Sequence, residues 1–65
     1  MTATEYRNAI VALGLSHAEA ARLWGVTRRH EFRLASGKTP VPRPIVVLLR
    51  LVAAGRIRVV DIARA

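Results

Sequence analysis

Sixty-five residues fill one small domain, and a chain of this size buries only about 60% of the surface that its unfolded form exposes. There is no cysteine and the two histidines stand far apart, so disulfides are excluded and a structural zinc site is not expected; a second subunit is left as the source of extra stability. Apolar residues make up 52% of the chain, too many for disorder, and eleven Lys and Arg against four Asp and Glu give a net charge of +7, which attracts polyanions.

The first predicted helix covers residues 3–13. Thr2 and Glu5 have the capping-box spacing, in which a hydroxyl and a carboxylate satisfy each other's backbone N–H groups. Tyr6, Ala9, Ile10 and Leu13 then fall on one face at i, i+3, i+4 and i+7. Ser16 and Glu19 repeat the box at the head of a second helix, 17–24, which Gly25 stops. A third helix, 28–36, has Thr27 as N-cap and Gly37 as stop. Pro40, Pro42 and Pro44 make a stiff connector. Pro44 also suits the first position of a fourth helix, 44–54, where its missing N–H costs nothing.

Nine of the ten residues 45–54 are apolar. A helix apolar on nearly all sides must be covered on most of them, so part of this run is expected to meet a second copy of the chain. In the last run, 57–65, Val59, Val60 and Ile62 suit helix or strand; the lack of alternation over 61–64 favours a short helix. The apolar run 45–49 ends at Arg50 and is too short to span a bilayer. With polar residues first and the apolar stretch in mid-chain, no signal peptide is expected, and the location expected is cytoplasmic.

Only Gly25 and Val26 separate the second helix from the capping threonine of the third. This is a helix-turn-helix arrangement over residues 16–36, with Gly25 permitting the turn, Val26 anchoring it and Ala21 allowing close helix crossing. The stretch Leu15-Ser16-His17-Ala18-Glu19-Ala20-Ala21-Arg22-Leu23-Trp24-Gly25-Val26-Thr27-Arg28-Arg29 resembles the Cro and lambda-repressor-like (Xre) helix-turn-helix family. Ser36-Gly37-Lys38-Thr39-Pro40-Val41-Pro42 is similar to a connector of the same family. The resemblance covers roughly residues 3–54. It implies an all-α, compact four- to five-helix domain and a sequence-specific duplex-DNA-binding regulator of phage- or operon-repressor type. It also implies a homodimer on an inverted-repeat operator, associated with the nucleoid when bound.

On a wheel of about 100° per residue, Leu34 and Ala35 bracket one face of the third helix, while Arg29 and Arg33 lie together on the opposite face. Arginine is suited to bidentate contact with guanine O6 and N7, so these two are the candidate base readers. Thr27 and Arg28, at the helix start, are candidates for base-edge or phosphate contact. Lys38 and Arg43 are candidates for phosphates, against the alternative of solvated loop charges. His17 opens the second helix, where the resemblance implies a phosphate contact; an ordinary exposed histidine is the alternative reading. Dimerisation is expected in residues 44–65, with Leu48, Leu49, Val52, Ile57 and Ile62 as candidates. The half-sites would then lie about one helical turn, roughly 34 Å, apart.

Two residues depart from the family pattern. Glu31 falls in the middle of the apolar face of the third helix, and a buried carboxylate needs a partner, for which Arg28 stands three residues back; a contact to a cytosine amino group is the alternative. Phe32 falls where a polar residue is usual, with packing beside Leu34 and contact with a thymine methyl as its two readings. They keep open a second function, an antitoxin- or adaptor-like protein-interaction module. A basic membrane-surface peptide is disfavoured by the regular caps and glycine stops. The three aromatics are dispersed, which argues against a single-strand stacking surface. No nucleophile–base pairing or phosphate loop is visible, so neither an enzyme nor a cofactor, metal or small-molecule effector is expected.

Overall fold

Two capping boxes and one threonine cap fix where the first three helices begin. In the computed structural model, which describes residues 1–64, α1 is Ala3–Ala12, α2 is His17–Trp24, α3 is Arg28–Ser36, α4 is Arg43–Ala53 and α5 is Val59–Arg64. The protein is all-α, with no strand among the described residues. Thr2 Oγ1 accepts from the Glu5 N–H at 3.1 Å and Glu5 Oε1 accepts from the Thr2 N–H at 2.8 Å. Ser16 and Glu19 make the same reciprocal pair at 3.1 and 3.0 Å. In both boxes the backbone N–H donated to the carboxylate holds its titration below the ordinary value.

The turn between α2 and α3 is set by Gly25. Its φ of 70° lies in the left-handed region, and a Cβ there would meet nothing within 4 Å, so backbone conformation rather than space demands glycine. The Gly25 N–H reaches the Arg22 carbonyl at 3.2 Å and the Val26 N–H reaches the Ala21 carbonyl at 3.0 Å, the two bonds of a Schellman ending. Thr27 then caps α3, its Oγ1 accepting from the His30 N–H at 3.0 Å.

The predicted bounds of α2 and α3 coincide with the structure. α1 ends one residue early, because Leu13 acts as its cap. α4 begins one residue early, at Arg43, and ends at Ala53. α5 begins two residues late. Asp61 Oδ2 accepts from the Arg58 N–H at 2.8 Å, and this contact sets its start; Ala65, the last residue of the predicted run, lies outside the described residues.

The core joins Tyr6 and Ile10 of α1, Ala20 of α2, Leu34 and Ala35 of α3, and Ile45 and Leu49 of α4. α3 is central to it, with α1 and α2 packed against it. Leu13, Leu15, Trp24 and Val41 close the edges. The Cα radius of gyration is 10.7 Å, the value expected of a packed domain of this length, at about 10.7 Å. One chain therefore closes a core by itself, which corrects one expectation. Leu49, a candidate for the dimer interface, is 3% exposed and is committed to its own core. α5 adds no buried residue; Val59, Ile62 and Ala63 face Leu15, Glu19, Arg22 and Leu23 across a groove. Among the described residues, no helix is long and apolar enough to cross a membrane.

Candidate nucleic-acid interface

α3 has two chemically opposite faces. Glu31, Leu34 and Ala35 point inward and are buried, while Arg28, Arg29, Phe32, Arg33 and Ser36 are exposed. Thr27, Arg29, His30 and Arg33 line one shallow depression of about 200 Å³, so the two candidate base readers and the capping threonine share a surface. Glu31 is the only acid between residues 27 and 43, and it is fully buried. The solvent side of that stretch consequently carries Arg28, Arg29, Arg33, Lys38 and Arg43 with no opposing carboxylate.

The burial of Glu31 is balanced by a chain of donors from three other positions. Trp24 Nε1–H donates to the Tyr6 hydroxyl at 3.1 Å, and the Tyr6 O–H donates to Glu31 Oε2 at 2.8 Å. His17 Nδ1 lies 2.8 Å from Glu31 Oε1 and 3.0 Å from Oε2. Indole N–H is only a donor, so the Tyr6 oxygen accepts from it and the phenol proton points to the carboxylate. The carboxylate is an acceptor in turn, which assigns the proton to His17 Nδ1. Burial, followed by the Glu31 hydrogen bond, pushes the Tyr6 phenol well above its ordinary value and keeps it a donor. Among the described residues no buried side-chain nitrogen or oxygen lacks a partner.

These contacts correct the expected pairing of Glu31. Arg28 is exposed, and both carboxylate oxygens are taken by His17 and Tyr6. The contact to a cytosine amino group is overturned too, because the carboxylate faces the core. Phe32 does not pack beside Leu34: it is 63% exposed, whereas Leu34 is fully buried. Trp24 packs against the core as well as bonding to Tyr6. The partnership of Tyr6 and His17 with Glu31 was missed from the sequence. The available signal was an acid at the centre of a buried face, which demands a donor from another element.

The remaining candidates divide by location. Thr27 spends an oxygen lone pair on its cap, while its O–H can still donate. His17 is committed at Nδ1, with its side chain 50% exposed. Lys38 follows Gly37 at the end of α3 and is exposed. Arg43 opens α4 and lines a separate apolar depression with Pro44, Val47 and Leu48. Of the dimer candidates, Leu48, Val52, Ile57 and Ile62 are partly exposed.

Another arginine has a structural role. The Arg7 guanidinium donates to the Ala35 carbonyl in the last turn of α3 and to Thr4 Oγ1, tying α1 to α3. Among the described residues no group of three or more His, Cys, Asp or Glu could hold a metal ion. No family model, curated protein or solved structure matches the chain.

Proposed function

We propose that this protein is a sequence-specific duplex-DNA-binding regulator of Xre helix-turn-helix type, acting as a small repressor of its operon or phage. α3 enters the major groove. Arg29 and Arg33 read base edges, and Arg28, Thr27, His17, Lys38 and Arg43 hold the backbone. The observation that carries this reading is the outward face of α3, where Arg29 and Arg33 stand side by side while the sole acid of the stretch is turned into the core. A homodimer is part of the proposal, formed through Leu48, Val52, Ile57 and Ile62 and reading an inverted repeat. The proposed control is by protein concentration.

A second reading is a protein-interaction module, favoured by Phe32, a large apolar side chain left 63% exposed on that same face. Selection of bound fragments from random duplex DNA, followed by salt titration on the selected and a scrambled duplex, separates the two. The DNA-binding reading requires affinity that falls steeply with salt and a preference for the selected sequence at fixed salt. Equal affinity for both duplexes removes sequence-specific regulation and leaves the interaction module.

A further inference from the structure

Phe32 stands among cations. Arg28 precedes it by four residues, Arg29 by three, Arg33 follows it, and Ser36 lies one turn on, all exposed on α3. A phenyl ring left 63% exposed forgoes the burial that ordinarily favours it, and the tight packing of Leu34 and Ala35 shows that α3 has a core side to which an apolar residue can be assigned. The ring therefore calls for an occupant that is at once polyanionic, to suit its neighbours, and locally apolar, to suit the ring itself. Duplex DNA meets both requirements in one place. Among the base-edge groups of the major groove, the apolar one is the C5-methyl of thymine.

We propose that Phe32 is a specificity-determining residue that packs on a thymine C5-methyl while Arg29 and Arg33 contact neighbouring base pairs. This inference rests on the DNA-binding reading of α3 and deepens it by naming a base. Every half-site would hold a thymine at one fixed position relative to the bases read by arginine. The ring has no hydrogen-bonding group, so the discrimination comes from the methyl alone and not from the Watson–Crick identity of the pair.

The test begins with duplexes selected by the full chain from a random library. In the selected site, each thymine is replaced singly by deoxyuridine, which removes the methyl and leaves every hydrogen-bonding group intact. The wild-type chain is expected to lose about fourfold in affinity at one thymine per half-site, the value of one buried methyl-sized group. Phe32→Ser should be indifferent to the same replacement, and Phe32→Leu, which stays apolar, should remain sensitive. The exposure of Phe32 lets these variants fold, and equal melting curves would verify it.

A wild-type chain indifferent to every deoxyuridine overturns the proposal, as does a methyl effect that persists in Phe32→Ser. Unchanged selected sequences for Phe32→Ser would assign the ring to a protein partner instead. Failure to enrich any sequence removes the DNA-binding reading along with this one, so the two failures are distinct.

Discussion

His17 Nδ1 lies 2.8 Å from Glu31 Oε1, so the first residue of α2 is tied to the middle of α3, fourteen positions away. The pair spans the helix-turn-helix, from the start of α2, remote from Gly25, to α3. The turn joins the two helices by backbone geometry, and the pair adds a side-chain contact from His17 to the Glu31 carboxylate. Tyr6 adds α1 to the same carboxylate, so three helices meet on one side chain.

Removal of one partner should expose that dependence. His17→Ala leaves the buried carboxylate with Tyr6 as its one side-chain donor and should lower stability by about 1–3 kcal/mol, the range for hydrogen bonds to charged groups discounted for the half-exposed ring. With Glu31→Gln in place the same change should cost under about 0.5 kcal/mol, because no buried charge remains to be left short of a donor. Urea unfolding of the two single variants and the double variant measures the coupling. Equal costs of His17→Ala in both backgrounds would show the contact to be energetically idle.

Tyr6 makes alkaline stability a readout of the network. Its phenol ionises at an ordinary value of 10.0 when unfolded and well above that when folded, because burial and the Glu31 hydrogen bond disfavour the phenolate. The folded state therefore holds this proton when the unfolded state has lost it. The contribution is fully present below pH 10 and declines above it, by about 1.4 kcal/mol per pH unit until the folded group titrates. As Tyr6 is the sole tyrosine, phenolate absorbance and loss of helical circular dichroism should rise together with pH. Phenolate appearing at its ordinary pH in a fully helical protein would contradict the buried donor role.

How much of this was legible depends on the range of each interaction. The bounds of α2 and α3 could be read because Ser16, Glu19, Gly25, Thr27 and Gly37 act within three or four residues of themselves. The start of α5 could not, since Arg58 offers no side-chain acceptor and the start is marked by Asp61 reaching back to its N–H. The opposed faces of α3 followed from helical periodicity alone. The partners of Glu31 did not, as His17 is fourteen and Tyr6 twenty-five residues distant, and nothing local favours them over Arg28. Leu49 was misassigned for a related reason. Apolar character around a helix does not distinguish the side taken by its own core from the side left for a partner.

Leu48 and Leu49 are therefore expected to separate folding from assembly. Leu49→Ala should cost about 2–5 kcal/mol, comparable with the few kcal/mol that a single small core supplies, so its helical signal should be largely lost at 37 °C. Leu48→Glu changes a partly exposed position and should keep the helical signal while converting the proposed homodimer to monomer in sedimentation. A folded Leu48→Glu protein with unaltered mass would move the interface away from α4.

Arg33 and Lys38 should lose DNA in different ways. Arg33 shares its surface with Arg29 and Thr27 in mid-helix, whereas Lys38 lies past the glycine that ends α3. As a base reader, Arg33→Ala should cost about 1–3 kcal/mol on the selected duplex, little on a scrambled one, and relax preference at one base pair. Lys38→Ala should weaken both duplexes alike and reduce the slope of log affinity against log salt by about 1, the signature of one lost phosphate contact. Both residues are exposed, so neither change should alter the unfolding midpoint by more than a surface substitution does. If Arg33→Ala behaved as Lys38→Ala is expected to, the guanidinium would be gripping phosphate, and sequence preference would have to come from Arg29 and Phe32.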